Sequence, residues 1–221
     1  GETIILDIDS VVNTIEATEQ KVTITLSEDI CTDSGGSNLS GVITSDRTLY
    51  KSCSPYTVTG NLLVKEGVTL TIQAGVMVKV DADKYIRVEG TLIAIGSSSN
   101  KITFTSSLDN KNKGDWDKIW LASTSTLFDG SDNYVSGTIL NHCVISYANE
   151  GIRLDNSSFY LVNSEISYNN SGINFKKVIN SIIDNNNFNN NNLGTNTSAG
   201  TEDNGVGSFT YTKFLNNIFQ N

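Results

Sequence analysis

The sequence predicts an all-β chain folded as a single-stranded parallel β-helix, a solenoid of stacked coils with an N-terminal cap. Three observations lead there. From about residue 42, short β-rich segments recur, separated by Gly, Asn or Asp, and almost nothing has helical spacing. The chain repeats itself: Ile145-Ser146-Tyr147-Ala148-Asn149-Glu150-Gly151-Ile152-Arg153-Leu154 returns as Ile166-Ser167-Tyr168-Asn169-Asn170-Ser171-Gly172-Ile173-Asn174-Phe175, an offset of 21. Finally, 20 of the 27 Asn fall in residues 141–221. Asn tolerates the left-handed conformation of tight bends, and stacked copies can hydrogen-bond along an axis.

A period of 21–23 residues holding three short strands describes one coil. Such strands are too short to pair stably alone. Stacking coils about 4.8 Å apart lets each strand bond to its equivalents above and below. Inward residues then form columns, such as Ile145 with Ile166 and Ile152 with Ile173, and each buried Ile or Val contributes roughly 1.5–3 kcal/mol. One coil cannot hide its own core, so stability depends on neighbours and on capped ends.

Residues 1–40 read as the cap or edge strands. Ile4–Ile8 and Val22–Leu26 have strand composition, and Ser34–Asn38 reads as a loop. Residues 41–221 carry the β-helix of about seven coils. Its strands begin with Tyr56–Thr59, Leu62–Val64, Thr69–Ile72 and Val76–Val80, followed by Ile86–Val88, Thr91–Ile95 and Ile102–Thr105. Glu66-Gly67-Val68-Thr69-Leu70 returns as Glu89-Gly90-Thr91-Leu92, weaker copies start at Ile183 and Ile218, and an insertion is expected at about 193–208. The Asn run 185–192 reads as turns anchored by Ile182, Ile183 and Phe188. Lys213–Asn221 reads as the first half of a unit, so the array is expected to be cut there or to continue. The start Gly1-Glu2-Thr3 reads as a mature or trimmed form.

Composition narrows the function. The net charge of −9 lacks the basic footprint that nucleic acid requires. No apolar run approaches the roughly 18 residues of a membrane-spanning helix. One His leaves little room for His-rich metal sites or His-based triads. Of three Cys, Cys31 and Cys53 could form a disulfide pinning the cap, two free thiols being the other reading. Cys143 reads as a small buried hydrophobe, and no CxxC pair suggests zinc.

The opening coils carry a further signal. Tyr56, Gly60, Val64, Gly67, Thr69-Leu70-Thr71-Ile72 and Gly75 fall in a run that resembles the first coils of bacterial secreted right-handed parallel β-helix proteins of the pectate-lyase-like group. Leu49-Tyr50 stands where that group has Thr-Trp, and Ala74 replaces the Pro before Gly75. Gly114-Asp115-Trp116-Asp117-Lys118-Ile119 resembles a recurrent coil opening of the same group. The resemblance covers about residues 40–221 and implies the fold and its right-handed sense. It implies little about chemistry, because the group includes lyases, adhesins and surface proteins without known activity.

Polysaccharide lyases of this kind use a Lys or Arg base and usually Ca²⁺ held by acidic residues. The candidates are Asp81, Asp83 and Lys84; the loop Asp109, Lys111, Lys113, Asp115, Asp117; and Asp129-Gly130-Ser131-Asp132-Asn133. Each also reads as a solvated acidic loop. Hydrolases would show paired Asp near a His, but there is no Asp-Asp dipeptide, and His142 reads as a strand residue. Thr-x-Thr pairs are too unevenly spaced for a flat hydroxyl array. Trp116, Trp120, Tyr147 and Tyr168 are the candidate aromatics of a ligand-facing strip.

The reading is therefore a non-enzymatic, exported or cell-surface bacterial scaffold or carbohydrate and adhesion module. The alternative is a polysaccharide lyase or glycoside hydrolase. No cofactor is expected beyond a possible Ca²⁺. The expected partner is a polysaccharide or cell-surface glycan, with no nucleic acid and no transmembrane segment, and the chain is expected to be a monomer.

Overall fold

Apart from one local hairpin, strands of three to five residues find their partners here across coils. In the computed structural model, Cys31, residues 37–197, 209–210 and 212–220 are described, without the side chains of 196, 197, 209 and 210. The expected strands Ile4–Ile8 and Val22–Leu26 lie outside these residues, as does most of the loop expected at Ser34–Asn38. The first described strand, β1 (Asn38–Ile43), pairs in parallel with β3 (Tyr56–Val64) and so already belongs to the stack.

Three parallel faces build the tube. Face 1 stacks β2 (Arg47–Leu49), β4 (Thr69–Ile72), β7 (Thr91–Ile95), β12 (Ile139–Asn141), β15 (Tyr160–Val162), β19 (Ile182–Asp184) and β23 (Lys213–Leu215). Face 2 stacks the first half of β3, then β5 (Met77–Val80), β8 (Ile102–Ser106), β13 (Cys143–Ser146), β16 (Glu165–Ser167), β20 (Asn187–Asn189) and β24 (Ile218–Gln220). Face 3 stacks the second half of β3, then β6 (Ile86–Val88), β9 (Trp116–Ala122), β14 (Ala148–Asp155), β17 (Ser171–Phe175) and β21 (Leu193–Thr197). The segments expected as two strands at Tyr56–Thr59 and Leu62–Val64 run on as one bent strand that feeds both faces. The chain is a parallel β-helix.

Register carries the core. Phe104, Ile145, Ile166 and Phe188 follow one another down face 2 and are 0–1% exposed. Ile86, Ile119, Ile152 and Ile173 do the same on face 3, and Ala94, Leu140, Leu161 and Ile183 on face 1. The predicted columns Ile145–Ile166 and Ile152–Ile173 are both present.

In the later coils the corners are very short. His142, Asn163, Asn185 and Asn216 turn the chain from face 1 to face 2, each with φ between 50° and 53°. Tyr147, Tyr168 and Asn190 begin the turn from face 2 to face 3, with φ of 66°, 57° and 53°. His142 is thus a corner residue rather than a strand residue. Asn suits these positions because its short polar side chain lowers the cost of the left-handed region.

Amide ladders tie the corners together. Asn169 Oδ1 accepts from the Ala148 N–H (2.8 Å), and Asn186 Oδ1 accepts from the Ser164 N–H (2.9 Å). Asn217 Oδ1 then accepts from the N–H and side-chain amide of Asn186. On the surface, Asn170 donates to Asn149, Asn192 donates to Asn170, and Lys113 Nζ donates to Asn192. Buried amides within this network replace the water that a tight turn would otherwise need.

Large excursions leave from the corner between faces 3 and 1. The antiparallel hairpin of β10 (Thr126–Phe128) and β11 (Tyr134–Gly137) folds over face 1. Phe128 meets Tyr160 edge-on and Tyr134 stacks on it, with centroids 5.5 and 6.0 Å away, while Asp132 pairs with Lys213. Gly137 is required at the hairpin's end: its φ is 101°, and a Cβ would lie 2.2 Å from the Ser125 carbonyl oxygen. Leu193–Thr197, expected to open an insertion, continues face 3 as β21, and the rest of that expected insertion, 198–208, lies outside the described residues. The short β18 (Val178–Ile179) and β22 (Phe209–Thr210) pair in the same corner region.

Cys31 and Cys53 are joined by a disulfide at the first coil. Cys143 is a free, fully buried thiol whose desolvation pushes its pKa far up.

Candidate functional site

The four candidate aromatics separate into three environments. Trp116 pairs in register with the inward Ala148, is 0% exposed and donates from Nε1 to the Ser146 carbonyl at 2.8 Å. It is a core residue and not part of a ligand-facing strip. The physical reason is its place at the very start of β9, where the small Ala148 in the adjoining coil leaves room for an indole inside the tube.

Trp120 lies on the outer side of face 3, in the column Leu63, Arg87, Trp120, Arg153, Asn174. The Arg87 guanidinium sits 4.3 Å from the indole centroid and that of Arg153 5.4 Å, and Tyr85 meets the indole edge-on at 6.3 Å. The two cations come from the coils before and after that of Trp120, so they flank the indole along the coil axis.

Tyr147 and Tyr168 do come together, stacked at 5.6 Å with planes 17° apart. Lys111 Nζ reaches the Tyr147 ring at 5.7 Å. Because the two rings lie face to face, each covers part of the face the other could offer to a ligand. Both residues hold positive φ, which is uncommon for an aromatic side chain.

Beside the Trp120 column lies a charged cluster. Glu150 Oε1 accepts from Asn174 Nδ2 (2.9 Å), and its Oε2 lies 3.4 Å from Lys118 Nζ and 3.8 Å from the Arg153 guanidinium. Glu89 pairs with Arg87 at 2.6 Å and Asp155 with Arg153 at 4.0 Å. The acidic and basic charges of face 3 are therefore largely matched. Next to Arg87 a groove of about 270 Å³ is lined by Val42, Leu63, Tyr85 and Glu89, among others.

Four of the candidate calcium residues, Asp115, Asp117, Asp129 and Asp132, have partners within the chain. Asp129 Oδ1 accepts from the Ser131 and Asn133 N–H groups, and both of its oxygens accept from the Asn133 side-chain amide. These bonds, the Asn133 amide foremost, hold its carboxyl below the usual range. Asp115 closes its own loop on the Asn112 N–H, Asp117 pairs with Lys118, and Asp132 pairs with Lys213. Among the described residues no three acidic, His or Cys side chains converge as metal ligands.

Residues 41–138 match the family described as the pectate-lyase-like beta helix domain. The protein bark beetle of Drosophila melanogaster is 35% identical over 72 residues, which is 33% of this chain and 2% of that protein. The chain thus aligns with a small fraction of that relative's length. No solved structure matches. The family match supports the β-helix reading for the first coils, in keeping with the similarity of Tyr56–Gly75. Among the described residues no helix is long and apolar enough to cross a membrane.

Proposed function

We propose that the chain is a rigid, non-catalytic β-helix module of an exported or cell-surface protein, working as a monomer and contacting glycan through its outer surface. The observation that supports this most is the unbroken stack. Seven rungs pile on faces 1 and 2 among the described residues, held by filled columns and amide ladders. Such a tube keeps side chains at a fixed spacing of about 4.8 Å per coil along its length. A disulfide at the first coil agrees with an oxidising compartment. The charges on face 3 are paired rather than set apart as an acid and a base, which favours contact over turnover.

A glycan array on the purified chain, combined with an ultraviolet lyase assay and a reducing-sugar assay on uronate and neutral polymers, tests the proposal. Glycan binding without turnover is expected. Turnover of any polymer that is lost on substituting Lys118, Glu150 or Arg153 overturns it in favour of a lyase or hydrolase.

A further inference from the structure

A second surface lies on the corner between faces 1 and 2, away from Trp120. A groove of about 300 Å³ runs there across several coils, lined by Lys101, His142, Asn163, Glu165, Asn185, Asn187 and others. Successive corner residues supply its wall. His142 Nδ1–H donates to Asn141 Oδ1 (2.7 Å), Asn163 Nδ2 donates to the same oxygen (3.1 Å), and Asn185 Nδ2 donates to Asn163 Oδ1 (2.7 Å). Glu165 and Asn187 follow each other in the outward column of face 2. Glu165 accepts from the Ser167 hydroxyl and lies 3.9 Å from Lys101 Nζ, so its charge is balanced. Asn187 Oδ1 is buried without a hydrogen-bond partner.

We propose that this groove binds a linear, uncharged oligosaccharide laid along the coil axis. The proposal rests on the glycan-contact reading above and names the site and the ligand class. Four of the nine lining residues are carboxamides, each with donors and an acceptor, and a sugar hydroxyl is likewise both donor and acceptor. The one acid and one amine of the lining are matched, so the groove has no net charge to select an anionic polymer. Apolar side chains are scarce in it, which disfavours a lipid or an apolar peptide. The wall repeats once per coil, about every 4.8 Å, so a polymer of similar subunit length meets equivalent amides in succession. The unpartnered Asn187 Oδ1 is the acceptor left over, and the broad two-fold torsion of a carboxamide lets it turn toward a ligand hydroxyl.

The test is calorimetric titration of the full chain with cellohexaose and hexa-N-acetylchitohexaose, and with hexagalacturonate as the acidic counterpart. Saturable binding of a neutral hexasaccharide is expected. It should weaken at least tenfold in Asn187→Leu and be unchanged in Thr57→Val, which lies on the same face outside the groove. Because Asn163 and Asn185 also bond along the axis, side-chain amide shifts of Asn163, Asn185 and Asn187 in wild-type protein give a readout free of folding effects, and these should move on adding the sugar. Neutral binding that leaves both the shifts and the Asn187→Leu affinity untouched overturns the groove. So does binding of hexagalacturonate alone that is lost in Arg87→Ala or Arg153→Ala, although the wider glycan reading then stands. Failure of all three probes to bind overturns the groove, and an array without any bound glycan overturns the wider reading as well.

Discussion

Asn191 lies directly over Asn169. Its Oδ1 accepts both the Asn169 N–H (2.9 Å) and the Asn169 side-chain amide (3.0 Å), while its own Nδ2 reaches back to the Ile166 carbonyl (2.7 Å). Asn169 repeats the pattern one coil earlier, on Ala148 and Ile145. Replacing Asn169 with Ala removes the side-chain partner of two buried backbone groups, the Ala148 N–H and the Ile145 carbonyl. The expected cost is roughly 2–4 kcal/mol in urea unfolding. Asn169→Asp keeps the acceptor and loses the donors, so it should also destabilise the protein. A loss under about 0.5 kcal/mol for Asn169→Ala would show that the ladder is not a source of stability.

Phe188 stacks on Phe219 at 4.7 Å and continues the column of Ile166. Phe188→Ala should destabilise by about 3–5 kcal/mol, because neighbouring coils are fixed by their own strands and cannot collapse into the space. The outward Thr103→Val on the same face should stay within about 0.5 kcal/mol. Equilibrium denaturation of both variants gives the comparison.

Stability should fall at alkaline pH through Cys143. Burial keeps its thiol protonated in the fold well above the usual thiol range. The unfolded thiol ionises near pH 8.5, so above that value the folded state binds more protons than the unfolded one. Stability is therefore complete below about pH 8.5 and declines by up to about 1.4 kcal/mol per pH unit above it. Cys143→Ala should abolish this slope between about pH 8.5 and 10. An unchanged slope in that variant would assign it to other groups.

Reduction of the Cys31–Cys53 bond should lower stability by about 3 kcal/mol, the chain-entropy value for a loop of this size. Alkylation followed by intact mass should label no Cys in the folded, unreduced protein. It should label one after denaturation, and three after denaturation and reduction. Two labels without reductant would mean that the disulfide does not form.

Arg87 and Arg153 should report on Trp120. Removing either guanidinium opens part of the indole to water, so Arg87→Ala and Arg153→Ala should red-shift the fluorescence. Each should cost about 0.5–1 kcal/mol. Trp116, being buried, should contribute an unchanged blue component. Emission spectra of the two variants beside Trp120→Phe separate the contributions.

The sequence makes the later coils plain, because the 21-residue offset brings Tyr147 onto Tyr168 and Asn149 onto Asn170 without interruption. It hides the Trp120 column. The loop before β9 lengthens one coil and the hairpin of β10 and β11 lengthens the next, so Arg87, Trp120 and Arg153 stand 33 residues apart at each step. Nor does residue type alone reveal that His142 and Tyr147 adopt left-handed corners, since neither is Gly or Asn. Trp116 is hidden for a related reason: an indole next to Asp115 and Asp117 has the sequence surroundings of an exposed residue, and only the corner before β9 turns it inward.

The crowded later bends and the roomy corner between faces 3 and 1 respond differently to added chain. A residue inserted beside His142 or Tyr147 would break both a left-handed bend and the amide contacts of its neighbours. The hairpin tip at Gly130 and Ser131 is exposed, and a Cβ at Gly130 meets nothing within 4 Å. Foreign peptides grafted there should be displayed beside face 1 without disturbing the rungs, which makes this tip the natural attachment point for an epitope tag or a fluorescent label.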